Sequence, residues 1–333
     1  MKKHLFRACF TAVFAVSMIL SLSVSASHAQ ATYPTRAISM IVPYGPGGTS
    51  DNGGRLIAMY ASKKFNHPIN VINRPGGSGT LGQHEAMAAP PDGYTMLLDT
   101  NMLPGFHMVL PNIPFDWEKR TFIAKVFIDP VFLVVPAASP YKTIKDVIER
   151  AKKDPETFVW AASGPAGGAT VSIGYLLHSQ GVPLKRTRMV SIPSGGEVMV
   201  QAAGGHIDLG QGELSAVLNL IGTGKIRPVL AVLPKRHPLL PDVPCVPDAG
   251  LLDYQFELVN YISGPPGLPS HVVDAWMKVL SEMVKDPQFE ESATKAGKWI
   301  SFGGPEESKK SMYEYYALFK KVYPVIGISK ESK

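Results

Sequence analysis

Five β-type apolar residues, Ile38 to Val42, run without interruption into Pro43-Tyr44 and then Gly45-Pro46-Gly47-Gly48, followed by Thr49, Ser50 and Asp51. A short, wholly apolar run of this kind is buried on both faces of a parallel sheet. Thr49, Ser50 and Asp51 are each suited to capping a helix, and Arg55 to Lys64 carries Leu56, Ile57 and Tyr60 at helical spacing. The stretch therefore predicts strand, tight glycine turn and helix N-terminus in succession. In such a turn the backbone N–H groups point inward and the helix dipole adds partial positive charge, which suits an anion. A single loop of this type is equally well explained as an ordinary tight βα connection.

A second copy shifts the balance. Phe158 to Ser163 is again strand-like, and Gly164-Pro165-Ala166-Gly167-Gly168 again leads into a helical pattern, expected to begin near Thr170. The two loops lie about 120 residues apart. They predict one anion-cradling turn in each of two similar α/β lobes, with a ligand bearing carboxylate or phosphate groups held between them.

The chain of 333 residues is long enough for two cores. It opens with Lys2, Lys3 and Arg7, an apolar run from Ala8 to Leu22, and small residues at Ser27 and Ala29. This pattern predicts a secretory signal peptide over residues 1–29, cleaved before Gln30, and an exported, soluble mature chain in the periplasm. Loss of that segment lowers the formal charge from +6 to +3, since it carries three basic and no acidic residues. With no basic cluster interleaved with aromatics, nucleic acid is not an expected partner. Cys245 is then the one remaining cysteine, so no internal disulfide is expected.

Alternating strands and helices run through the rest. Strands are expected at Ile69–Asn73, Tyr94–Leu98, Val131–Val135, Met189–Ile192, Pro228–Leu233 and Leu258–Ile262, with another after Asp208. Helices are expected over Gln83–Ala89, after a Thr143 cap, over Glu197–Ala203, after a Ser270 cap burying Val272, Val273, Trp276, Leu280 and Met283, and over Glu306–Tyr323. Asp99-Thr100-Asn101 reads as a polar loop at the same sheet end as Gly45–Gly48, where open α/β sheets bind ligands. The pattern means parallel-sheet α/β lobes, with the chain returning to the first lobe from Tyr254.

Seven segments together resemble the substrate-binding receptors of tripartite tricarboxylate transporters, the Bug or TctC-like family. They are Tyr33-Pro34, Pro43 to Asp51, Asn73-Arg-Pro-Gly-Gly77, Pro91 to Leu97, Ser194 to Glu197, Gly204 to Asp208 and Arg236 to Pro244. The resemblance spans Tyr33 to Tyr323 in order. It implies a two-lobed periplasmic "Venus flytrap" of the type II topology, with a mixed, mostly parallel sheet in each lobe. The first lobe is expected over 30–130 and 251–333, the second over 131–250. It implies a non-catalytic monomer, without cofactor or metal, that delivers a small carboxylate (a di- or tricarboxylate or an aromatic acid) to membrane permease subunits.

The family grips its ligand mainly through backbone amides and waters. Carried onto this chain, the expected site is Tyr44, Gly45, Pro46, Gly47, Gly48, Thr49, Ser50 and Asp51, then Ser163, Gly164, Pro165, Ala166, Gly167, Gly168 and Thr170, then Ser194 and Gly195. Thr100 joins them from the polar loop. Two departures stand out. A histidine common in the family is absent from Gly168-Ala-Thr-Val-Ser172, leaving Thr170 and Ser172 to supply polarity. Gly53-Gly54 occupies a helical turn where the family has a larger residue.

Other classes fit less well. No Gly-x-Ser-x-Gly elbow supports a secreted hydrolase, and Cys245, between Pro244 and Val246, reads as a buried thiol. Neither a dinucleotide fingerprint nor a P-loop is present, and no metal-ligand spacing occurs. A receptor that senses its ligand for a signalling partner would share the same fold and site.

Overall fold

A computed structural model describes residues 33–110, 112–163, 167–192, 195–251, 254 and 256–328. The expected signal peptide lies outside them, as do Gly164, Pro165, Ala166 and Ser194 and the side chain of Ser163. The described chain begins with β1 (Ile38–Val42), α1 (Thr49–Phe65), β2 (Ile69–Asn73), α2 (Thr80–Met87), β3 (Thr95–Thr100), α3 (Leu103–Val109) and β4 (Thr121–Asp129). It continues with β5 (Val131–Pro136), α4 (Ile144–Lys153), β6 (Val159–Ser163), α5 (Gly168–Ser179), β7 (Arg188–Ile192), α6 (Gly195–Ala203), β8 (Leu209–Glu213), α7 (Leu214–Ile221) and β9 (Ile226–Ala231). It closes with β10 (Leu258–Gly264), α8 (Ser270–Met283), α9 (Pro287–Lys295), β11 (Trp299–Gly303) and α10 (Pro305–Val325). None of the described helices is long and apolar enough to cross a membrane.

The strands form two sheets, ordered β11-β4-β10-β3-β1-β2 and β7-β6-β8-β5-β9. Only Pro130 separates β4 of the first sheet from β5 of the second, and the chain returns to the first sheet at β10. This is a two-lobed α/β fold, and both sheets are mixed as expected. Parallel pairing is not the majority, however. It joins β2-β1-β3 and β7-β6-β8, whereas the other pairings between these strands are antiparallel; β10 and β11 in one sheet and β5 in the other run against their trios, while β4 and β9 run with them.

Each sheet thus has the same parallel trio, with the first strand of the three in the centre. The two glycine loops leave the carboxyl ends of those central strands, β1 and β6. Both helices that follow start on a glycine with the same extended backbone: Gly48 has φ −74° and ψ 170°, Gly167 φ −73° and ψ 170°. The cap is therefore Gly48 and not Thr49, Ser50 or Asp51, which form the first turn of α1, and α5 starts at Gly168, ahead of Thr170. Thr143 does cap α4: its Oγ1 accepts from the Asp146 N–H at 3.2 Å while the Asp146 carboxylate accepts from the Thr143 N–H at 2.9 Å.

Other expectations shift in detail. Ser270 is the first residue of α8, after a Pro269 cap, and Val279 rather than Val273 is buried beside Val272, Trp276, Leu280 and Met283. Asp99 and Thr100 are not loop but the end of β3, and both are buried. The longest strand, β4, carries no alternation to betray it. Its residues are buried on both faces except Thr121 and Lys125.

Gly53 and Gly54 have a packing reason. A Cβ on Gly54 would lie 3.1 Å from Val42 Cγ2 and 3.3 Å from Leu98 Cδ2, and one on Gly53 would lie 3.3 Å from Lys298 Cε. Their absent side chains bring α1 down onto the sheet at the end where β1 delivers its loop. The terminal helix α10 serves both lobes. Met312 packs in the cluster with Phe122 and Tyr261, while Phe319, Val322 and Tyr323 pack with Leu133, Val171 and Leu176.

Candidate functional site

The first loop is held from below by a single carboxylate. Asp51, third residue of α1 and buried, accepts from the Gly47 N–H at 2.8 Å, from Arg55 Nε at 3.0 Å and from Asn73 Nδ2 at 3.0 Å. Asn73 Nδ2 also donates to the Tyr44 carbonyl at 3.0 Å. Burial alone would push the Asp51 carboxyl up, but the hydrogen bonds from Arg55, Gly47 and Asn73 outweigh it and hold the group below the usual range. Asp51 is the loop's scaffold, and not the helix cap expected from the sequence. Pro46, Gly47 and Gly48 are exposed in front of it, and nothing lies within 4 Å of a Cβ built on Gly45 or Gly47. Gly47 alone in this loop has a left-handed backbone, φ 78°.

Thr100 ties this loop to the end of β3. The Tyr44 hydroxyl and Thr100 Oγ1 are hydrogen-bonded at 3.0 Å, and Thr100 Oγ1 accepts from the Met102 N–H at 3.4 Å. On the far side, a Cβ on Gly168 would lie 3.6 Å from Met102 Sδ, 3.6 Å from Phe256 Cζ and 3.8 Å from Leu258 Cδ1. The N-terminus of α5 therefore abuts the end of β3 and the returning strand. Gly167 and Gly168 are partly exposed there.

Thr170 and Ser172 divide. Thr170 is buried at the position in α5 that Asp51 holds in α1, three residues after the capping glycine. Ser172 is fully buried, and its Oγ shares a 2.5 Å hydrogen bond with the Tyr254 hydroxyl. It fastens α5 to the segment that returns to the first sheet and faces no cleft.

The third expected contact, Gly195, begins α6. Because β6 pairs in parallel with both β7 and β8, the carboxyl ends of all three lie side by side. Gly195 faces Glu213, the last residue of β8: a Cβ at Gly195 would lie 3.1 Å from Glu213 Oε2. Burial pushes the Glu213 carboxyl up, Asp129 adds to the effect and Lys298 opposes it. Beneath lies a fully buried set in which Lys298 Nζ donates to Asp129 Oδ1 and Asn260 Nδ2 donates to Asp129 Oδ2 at 2.8 Å. Asn101 closes the crossing, donating to the Glu257 carbonyl at 2.8 Å and accepting from the Val259 N–H at 3.1 Å.

Sequence reasoning missed Asn73, Met102, Glu213 and this buried set. Asn73 was visible, at the carboxyl end of β2 beside the first loop. The others lie far from both loops in sequence, and only the strand order brings them in. A cavity of about 860 Å³ lies elsewhere, walled by Lys125, Tyr254, Phe256, Glu257 and the Glu307–Leu318 face of α10. Its charges are partly self-paired, as in Lys125–Glu307 at 3.3 Å, and it lies along α10, whose own cap is Gly304. Among the described residues no three His, Cys, Asp or Glu side chains are grouped to hold a metal ion.

Comparison with known proteins identifies the family. The model of the tripartite tricarboxylate transporter family receptor, TctC, matches residues 54–307. A UPF0065 protein of Bordetella bronchiseptica is 28% identical over 317 residues, covering 93% of this chain and 91% of its own. Among solved structures, the periplasmic binding protein BugD superposes with a TM-score of 0.76 at 24% identity, covering 90% of this chain and 100% of its own. R. palustris Rpa4515 with adipate superposes with a TM-score of 0.80, also at 24% identity, covering 90% and 99%. The chain belongs to the family of tripartite tricarboxylate transporter receptors, the Bug or TctC-like periplasmic binding proteins.

Proposed function

We propose that this receptor captures a small carboxylate between its two lobes and delivers it to the permease subunits of a tripartite tricarboxylate-type transporter. The observation that carries the reading is the pair of helix starts at Gly48 and Gly167, with the same backbone angles, each following the central strand of its parallel trio. Backbone N–H donors at two helix N-termini suit an anion at each end of a ligand. Strand membership supports lobes of 30–130 with 251–333 and of 131–250.

The contacts on this reading are the backbone of Tyr44 to Asp51, the backbone of Ser163 to Thr170, the hydroxyl of Thr100, and the turn at Ser194-Gly195. The structure with adipate supports a dicarboxylate as the chemistry to try first. The receptor acts as a monomer without catalysis, exported after cleavage at Ala29. A thermal-shift screen of dicarboxylates, tricarboxylates, aromatic acids and amino acids tests it. A ligand at a hundred times its Kd stabilises the folded state by about 2.7 kcal/mol. At least one carboxylate is expected to raise the melting temperature saturably, and a flat response across all classes would overturn the reading.

A further inference from the structure

We propose that the cavity along α10 is a second binding site, which takes an organic ammonium ion on an aryl or alkyl body and uses Glu257 as its counter-ion. The site is separate from the one that would hold a carboxylate, since no described residue of either glycine loop is among its walls.

At about 860 Å³ the cavity has room for a small organic molecule. Leu233 and Pro234, which follow β9, form an apolar side together with Val246 and Pro247. Phe256 and Tyr315 also line it and meet edge to face, their ring centroids 6.5 Å apart. Surfaces of this kind suit the hydrocarbon body of a ligand, and aromatic faces attract a cation as well.

The charged walls decide the sign of the head group. Among the described residues three lysines and three glutamates line the space. Four of the six are engaged with one another, Lys125 with Glu307 at 3.3 Å and Lys310 with Glu314 at 3.9 Å. Lys321 and Glu257 remain. Lys321 is exposed, so water solvates its ammonium and salt screens it. Glu257 is half-buried, and among the described residues no hydrogen-bond donor is bonded to its carboxylate. The bond it receives from Asn101 Nδ2, at 2.8 Å, goes to its backbone carbonyl. Burial pushes the Glu257 carboxyl up, and Lys125 opposes this only from its place beside Glu307. A carboxylate partly withdrawn from water, next to aromatic rings, is the group that gains most from a ligand's cation. An anionic head group would meet it as a like charge.

Calorimetric titration with 2-phenylethylamine, an ammonium ion at neutral pH, and with 2-phenylethanol, its uncharged counterpart, tests the assignment. The wild type is expected to bind the amine saturably and at least tenfold more tightly than the alcohol. Glu257→Gln should erase that preference. Ala317→Trp, at an exposed position of the wall, should fill the space and weaken amine binding at least tenfold. Absence of saturable amine binding, equal affinities for amine and alcohol, or a preference that survives in Glu257→Gln overturns the assignment. So does amine binding that Ala317→Trp leaves intact, which would put the amine elsewhere on the protein. Thermal unfolding reports whether each variant folds; if Glu257→Gln does not, Ala317→Trp decides alone.

Discussion

Gly47 is the residue of the first loop where backbone conformation and access coincide. Its φ of 78° is left-handed, the space beside it is open, and its N–H is tied to Asp51 at 2.8 Å. Gly48, with φ −74°, is conformationally ordinary, so the backbone requirement falls on its neighbour. Gly47→Ala is expected to destabilise the protein by about 1–2 kcal/mol, the usual penalty for a left-handed non-glycine residue, and to weaken carboxylate binding. Thermal unfolding and calorimetry check both; native stability would contradict it. Asp51→Asn removes the charge in the bonds to Gly47 and Arg55 and is expected to destabilise by about 1.5–3 kcal/mol at neutral pH. Because the folded state holds the Asp51 carboxyl below its unfolded value, this stabilisation is present above the unfolded pKa. It is lost as pH falls through the folded one. The difference between wild type and Asp51→Asn should therefore shrink in acid, and a gap that widens would contradict the account. The residue types around this loop were legible in the sequence. What Asp51 does was not, because it is decided by Asn73, which reaches it only once β2 lies beside β1.

At the scale of elements, β3, α2 and the turn after Trp117 are joined through one fully buried ion pair. Arg120 Nη1 donates to both Asp99 oxygens at 3.2 and 3.1 Å, Arg120 Nε donates to the Trp117 carbonyl at 3.2 Å, and Gln83 Nε2 reaches Asp99 at 3.4 Å. Burial pushes the Asp99 carboxyl up and Arg120 works against it. Arg120→Met would strand that carboxylate and is expected to cost about 3–5 kcal/mol, much of it recovered in the double variant with Asp99→Leu. Chemical denaturation of the two variants decides, and equal losses in both would contradict it. Gly54→Ala makes the opposite case to helix propensity. Alanine favours a helix by up to ~1 kcal/mol over glycine, yet its Cβ would press on Val42 and Leu98. A net loss of about 1–2 kcal/mol is expected from overpacking; a more stable variant would show that α1 can shift. Elements with a local signature were readable, such as the Thr143 capping box and the apolar run of β1. The strand β4 was not, since Lys125 interrupts a run buried on both faces and its place is fixed by β10 and β11 from the far end of the chain.

At the scale of the molecule, the same parallel trio occurs twice, and the central strand of each leads into a glycine-capped helix start. That duplication was legible because the two loops repeat in sequence. The order of the strands was not, because β10 enters the first sheet only after the second has been completed. The chain passes between the sheets at Pro130 and again before β10, and α10 packs in core clusters with residues of both. A ligand that touches both loops favours the closed arrangement, because only there can both contacts be made. Small-angle scattering during titration with the carboxylate that most raises the melting temperature measures this directly. A radius of gyration that falls and saturates with the same midpoint as binding is the predicted result. Tight binding at unchanged radius would place the ligand in one lobe and contradict the two-loop clamp.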